Sequence, residues 1–259
     1  MSDTLTIPAT SQSLAPARTW IAMQGLLLLL AGATLLWLFQ TSDLDRQIAH
    51  LFFDERQGLF PLRRTWLFEN LLHRSAKQVT YLAVAGALYV CYLGYRGILD
   101  WLPRRNALLA ALGMALIPLC ISILKQLISR HCPWDMVDFG GFAPYLHLLD
   151  TPPAEIKAGV CFPAGHASTG FLWIVWGLAL RPAGRRTARL GLLAGLLLGG
   201  ALGAARMAQG AHFLSHTLWS LWFAWALSLG LALVVGADLR LGTEREREAR
   251  SPTRDLNKL

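Results

Sequence analysis

The sequence predicts an all-α, polytopic membrane protein: six transmembrane helices in a bundle, with short amphipathic surface helices between spans one and two. Three observations predict it. Of 259 residues, 54% are hydrophobic and 15% charged, whereas a soluble domain usually carries about 25% charged residues. The apolar residues collect in runs that approach or reach the ~20 helical residues needed to cross a hydrocarbon core. Arginines cluster at the ends of those runs, where membrane orientation places them. That distribution argues against nucleic acid as a partner despite the net charge of +8, because a nucleic-acid footprint gathers its cations into one patch or stripe.

Met1 to Arg18 is rich in Ser, Thr, Pro and Ala and is expected to form a disordered cytoplasmic tail, residues 1–18. Thr19 to Gln40 is the first span. Ala31-Gly32-Ala33 imitates a processing site, but Leu35-Leu36-Trp37-Leu38-Phe39 prolongs the apolar run beyond it, so the helix reads as an uncleaved anchor. Between Thr41 and Gln78, Leu44, Ile48, Leu51 and Phe52 recur at helical spacing; after a breaker at Gly58 and Pro61, Trp66, Leu67, Leu71 and Leu72 repeat the pattern. Both segments suit helices lying on the bilayer or packed against the bundle.

Val79 to Tyr95 is the second span, Asn106 to Leu124 the third, with Pro118 as an expected kink, and Ala167 to Leu180 the fourth. Leu190 to Ala205 is the fifth and Leu218 to Ala237 the sixth, completing a membrane domain over residues 19–240. Gly191, Gly195, Gly199 and Gly203 put small residues at four-residue spacing, which permits close helix packing within the monomer. Residues 241–259, with alternating Glu and Arg, read as a polar cytoplasmic tail. Arg104 and Arg105, then Arg185, Arg186 and Arg189, then Arg240 mark alternate ends as cytoplasmic, with both termini inside.

That orientation brings polar groups from three separated stretches to the outer side. Arg206, His212 and His216 lie within eleven residues at the end of an apolar run, and ionisable groups at membrane depth are costly unless they work. Cys161-Phe162-Pro163-Ala164-Gly165-His166 precedes span four, where a helix start aims free backbone N–H groups at an anion. Lys125, Arg130, His131 and Asp135 close span three on the same side. Together they supply cations, backbone donors, a candidate acid and a candidate nucleophile. Cys91 and Cys120 lie within spans and read as packing residues.

The three stretches resemble the signature of the type 2 phosphatidic acid phosphatase (PAP2) family, metal-independent membrane phosphatases with six-helix bundles. The family pattern is Lys, six residues, Arg-Pro; then Pro-Ser-Gly-His; then Ser-Arg, five residues, His, three residues, Asp. Lys125 and Pro133 keep the first spacing, Pro163-Ala164-Gly165-His166 matches three of four positions in the second, and Arg206 and His212 keep the gap in the third. Cys132 stands at the first arginine position, Ala164 and Ala205 replace serines, and His216 replaces the aspartate.

The resemblance implies that Lys125 and Arg206, with Arg130 or His131 standing in for the missing arginine, bind phosphate together with the backbone at Ala164 and Gly165. It implies His212 as nucleophile forming a phosphohistidine, His166 as acid and then base, and His216 as the group that orients His212. It implies no metal and no cofactor, a phosphorylated membrane lipid as substrate, and a site on the periplasmic side of a bacterial inner membrane. Cys132 and Cys161, both outer and each beside a motif, are expected to pair, closing a loop of about 30 residues and contributing roughly 3 to 4 kcal/mol in the chain-entropy model. Three other readings stay open: a zinc site on His212 and His216 with His166 or His131, a phosphoryl transferase between lipids, and a non-catalytic lipid-phosphate binding or transport protein.

Overall fold

A computed structural model describes residues 15–65, 75–99 and 101–242. Among them the helices are α1 (Ala15–Thr41), α2 (Leu44–His50), α3 (Ser75–Tyr95), α4 (Arg104–Leu127), α5 (Gly165–Phe171), α6 (Val175–Ala179), α7 (Arg185–Ala208) and α8 (Leu214–Val234). Among the described residues, five helical segments are long and apolar enough to cross a membrane: Arg18–Thr41, Gln78–Tyr95, Arg104–Leu127, Arg185–Ala208 and Leu214–Val234. Helix α4 continues on both sides of Pro118. The tails, apart from α1's first residues and Leu241-Gly242, lie outside the described residues, as does the pattern at Trp66, Leu67, Leu71 and Leu72.

The expected fourth span, Ala167 to Leu180, takes a different form. It is a broken helical segment made of α5, a 3-10 turn over Leu172–Ile174, and α6, with seven, three and five residues. Ala167, Phe171, Leu172, Ile174, Val175, Leu178 and Ala179 are all buried, so this stretch forms the centre of the bundle. The glycine stripe of α7 explains how it fits. A Cβ at Gly199 would collide with the Phe171 ring, one at Gly195 with Ile174, and one at Gly170 with the backbone of Gly199. Gly199→Ala is therefore expected to destabilise the protein by about 1–3 kcal/mol through overpacking, read as a lower thermal-unfolding midpoint in detergent. Gly200→Ala, where an added Cβ meets nothing within 4 Å, should leave that midpoint within a degree or two.

Two other arrangements position the site. At the end of the bundle away from it, Asn106 is fully buried and its amide donates to the carbonyls of Ala179 and Asp238, 3.0 and 2.9 Å away, while its Oδ1 accepts from the Asp238 N–H at 2.9 Å. One side chain thus ties the start of α4 to the ends of α6 and α8. Helix α1 lies along α8, where Trp222 Nε1 donates to the Leu28 carbonyl (2.8 Å) and Trp225 Nε1 to Gln24 Oε1 (3.2 Å).

Helix α2 forms where the apolar spacing predicted a helix, with Leu44 and Ile48 half-buried. Asp45 and Ala49 are buried, whereas Leu51 is 79% exposed. A second, outer core packs beside it: Ala49, Phe60, Met136, Phe139 and Phe213, with Phe53, Trp134 and Tyr145 against them. The aromatic residues of the outer loops mostly pack on one another there, and Phe142 remains exposed.

Candidate active site

Lys125 lies in the last turn of α4, His166 at the second residue of α5, Arg206 in the last turn of α7, His212 in the link to α8, and His216 in the first turn of α8. The chain can return on itself between Arg206 and His212 because Gly210 takes φ 71°, a left-handed conformation that glycine adopts without a steric penalty. A Cβ there would also strike the Phe60 ring. The Gly210 carbonyl accepts from the Trp134 N–H at 3.0 Å, which ties this turn to the segment after α4.

The imidazoles of His166 and His212 lie with ring centroids 6.4 Å apart, and those of His212 and His216 5.8 Å apart. Lys125 runs alongside the start of α5, close enough that a Cβ on Gly165 would be 3.6 Å from its Nζ. Arg206 Nη1 donates to Gln209 Oε1 at 2.7 Å, and its Nε is buried without a hydrogen-bond partner. Gln209 is itself buried and its Nε2 donates to the Leu62 carbonyl at 3.4 Å, so Arg206 is steered by a braced amide. Lys125, His166 and Arg206 are half-buried, and His212 is buried, 3% exposed. Burial, followed by the charges of His216, Lys125, Arg206 and His166, holds the His212 pKa well below the ordinary histidine value. His212 is thus a neutral imidazole at neutral pH, the form that carries a nucleophilic lone pair.

Cys132 and Cys161 form a disulfide, their Cα atoms 5.3 Å apart. Cys161 Sγ lies 3.7 Å from His212 Nδ1; a disulfide sulfur carries no proton, so only the ring N–H can donate in that contact. His216 is 4% exposed and wedged between the rings of Phe162 and Phe213, both 5.3 Å away, and its Nδ1 has no hydrogen-bond partner.

Several residues expected at the phosphate are engaged elsewhere. The Ala164 N–H donates to the His216 carbonyl at 3.1 Å, and Ser220 Oγ bridges the carbonyls of both residues, so this amide joins the loop to α8 instead of facing an anion. Arg130 does not take up the missing arginine's place: its Nη1 donates to the Ser129 carbonyl and its Nη2 to those of Leu148 and Asp150, each at 2.6 Å, which pins the outer loop. His131 Nε2 meets the Lys157 carbonyl at 2.9 Å, and Asp135 accepts from the Cys132 N–H within its own turn.

The zinc reading finds a cluster of one ligand atom each from Cys161, His212 and His216, all within 4.8 Å of one another. Cys161 is in the disulfide and offers no thiolate, the form that binds metal, which leaves two imidazoles beside Lys125 and Arg206.

One acidic residue at this end of the molecule carried no signal in the sequence. Asp45, 3% exposed, accepts the backbone N–H of Ser215 at 2.9 Å and the Ser215 hydroxyl, in the first turn of α8 and 170 positions along the chain. Burial pushes its pKa up to about 6, with the Ser215 hydrogen bonds opposing the shift. The apolar spacing of Leu44 and Ile48 marked a helix but said nothing of the aspartate between them, whose partner lies far along the chain.

Comparison with known proteins gives two likenesses. The sequence profile of the PAP2 superfamily matches residues 106–240, more than half of the chain. Among solved structures, the first transmembrane PAP2-type phosphatidylglycerolphosphate phosphatase, from Bacillus subtilis, is similar at 19% identity with a TM-score of 0.42, covering 83% of this chain and 94% of that one. No curated protein matches.

Proposed function

Because the chain belongs to the PAP2 superfamily, we propose that it is a metal-independent phosphatase that removes a phosphate from a membrane lipid phosphate or diphosphate through a phosphohistidine on His212. The observation that carries this reading is the grouping at the site: half-buried Lys125, His166 and Arg206 close around a neutral, buried His212.

In this reading Lys125 and Arg206 hold the phosphate oxygens, and their fixed positive charges stabilise the transferring phosphoryl group, which is mainly a positioning and electrostatic task. His212 attacks phosphorus through Nε2, the nitrogen on the ring edge opposite the disulfide contact. The N–P bond forms as the P–O bond to the lipid breaks, and His166 delivers its proton to the leaving oxygen. Water then attacks phosphorus and gives its proton to His166. The N–P bond breaks, inorganic phosphate departs and His212 is neutral again. The ammonium and guanidinium groups supply the charge stabilisation that a metal gives in other phosphatases.

A lipid is favoured because Lys125 and Arg206 lie in the last turns of two helices long and apolar enough to cross a membrane, where a headgroup can be met while its tails stay in the bilayer. The arginines at the starts of α4 and α7 and after α8 lie at the opposite end, and a positive-inside bias then supports a site on the periplasmic side of a bacterial inner membrane.

The test is phosphate release by purified full-length protein, with EDTA present, from lipid A phosphate, undecaprenyl diphosphate, phosphatidylglycerol phosphate and phosphatidic acid. EDTA-resistant release from one of them is expected. Release abolished by EDTA would overturn the metal-independent mechanism, and phosphate moving only to an added acceptor lipid would identify a transferase.

A further inference from the structure

A neutral histidine that takes up a phosphoryl group becomes cationic, and the groups around His212 make that harder. Lys125, Arg206, His166 and His216 each depress its affinity for a positive charge. A negative charge placed to offset them would lower the barrier. The buried carboxylate at this end of the fold is Asp45, and what separates it from His216 is a small cavity.

That cavity has a volume of about 20 Å³ and is lined by Asp45, Arg130, Tyr145, His147, Ser215 and His216, among others. It has room for one water, which is stable in a buried site when two to four polar partners surround it. Two of the lining residues, 4% and 7% exposed, each carry a buried nitrogen without a hydrogen bond, His216 Nδ1 and Arg130 Nε, which such a water would satisfy. Asp45 already accepts two bonds from Ser215, and a carboxylate has about four acceptor positions. A small chamber, walled by Phe39, Met136, Phe162, Phe213 and Trp219 and carrying these polar groups, therefore joins the acid to the histidine whose ring lies 5.8 Å from that of His212.

We infer that Asp45 is a positioning residue for His212, acting through one ordered water in this cavity and through His216, so that a carboxylate from α2 supplies the negative charge that the first turn of α8 lacks. The water donates one hydrogen to Asp45 and the other to His216 Nδ1, the ring nitrogen without a partner. This fixes the His216 tautomer, with the proton on Nε2, the ring edge that faces the Cys161 backbone. The carboxylate's charge favours the cationic phosphohistidine across that ring. The inference rests on the proposed phosphohistidine mechanism.

The expected pH dependence follows from the groups facing Asp45: His147, Tyr145, Arg130, His131 and His216 around the cavity. With a pKa pushed up to about 6 by burial, Asp45 is charged at neutral pH. It becomes neutral as pH falls through that value, so activity declines on the acid side. His212 is held well below the ordinary histidine range and does not account for a limb near pH 6.

The experiment measures kcat and KM against pH for the full-length protein in lipid nanodiscs, using the lipid that passes the panel above. Wild type is compared with Asp45→Asn, His216→Asp, the double variant and His212→Ala. Asparagine can still accept from the Ser215 N–H, so the link to α8 persists while the charge is removed. Asp45→Asn is expected to lower kcat about ten- to a hundredfold with KM within about twofold, and to abolish the limb near pH 6. In His216→Asp a local carboxylate takes over. Its limb should move toward the ordinary carboxylate range near 4, and adding Asp45→Asn should then cost less than about twofold. The His216→Asp shift can be read even if Asp45→Asn does not fold. A limb unmoved in Asp45→Asn, or equal losses in both backgrounds, overturns the inference and leaves Asp45 a structural link. Release that survives in His212→Ala overturns the phosphohistidine reading and the inference with it, whereas loss in His212→Ala with an unmoved limb overturns the inference alone.

Discussion

His212→Ala is expected to abolish phosphate release, by at least about 10³-fold in kcat, with the protein still folded and still binding lipid phosphate. In the proposed mechanism every turnover passes through an N–P bond at His212, so removing the ring leaves only the cationic frame of Lys125 and Arg206. That frame alone can hold phosphate and polarise it, which is why a residual rate above that in water is consistent with the mechanism. His212 is buried, but its packing partners are a disulfide and neighbouring imidazoles, and its loss leaves room rather than an unpaired charge. Single-turnover assays with radiolabelled lipid phosphate check this directly: wild type should trap an acid-labile, base-stable phosphoenzyme, and His212→Ala none. His166→Ala should behave differently, forming the phosphoenzyme slowly and hydrolysing it more slowly still, because His166 is the proton donor in the first step and the base in the second.

The second large effect is expected at Arg206. Arg206→Ala should lower kcat/KM by about 10²- to 10³-fold, the range found when one preorganised donor to a developing oxyanion is deleted. Arg206→Lys should recover little of it. Arg206 is aimed by its Nη1 bond to Gln209, which is itself held by the Leu62 carbonyl, and a buried, unpartnered Nε remains beside it. A lysine has one nitrogen where the guanidinium presents a planar fork of donors, so it can keep the bond to Gln209 or serve phosphate but not reproduce both. Steady-state kinetics on the two variants decide the matter: full activity in Arg206→Lys would mean that only a positive charge is needed there and that the fork has no part.

Much of this architecture was legible in the chain itself. Apolar runs, arginine clusters and the spacing of Lys125, His166, Arg206 and His212 are local or periodic features, and lipid as a solvent forces such runs into helices because no water is present to satisfy an open backbone. The glycine stripe on α7 was readable for the same reason, since a four-residue period places small residues on one helix face. That the fourth span is broken and enclosed was not legible, because hydropathy cannot distinguish a helix facing lipid from one enclosed by other helices. Ala167 to Leu180 is equally apolar in either place, and only the close approach at Gly170 and Gly199 shows which it is.

The sequence by itself determined the class of the protein, the cations and imidazoles available to it, and the chain segments that carry them. The tertiary structure alone decided how those groups are used. It turned the Ala164 amide toward α8 and the Arg130 guanidinium toward the outer loop. It also brought Asp45 from α2 to Ser215 and to the cavity behind His216. The physical reason is that periodicity encodes which residues share a face of one element, while the partner across a long loop is chosen by packing and by the need of each buried polar group for a hydrogen bond.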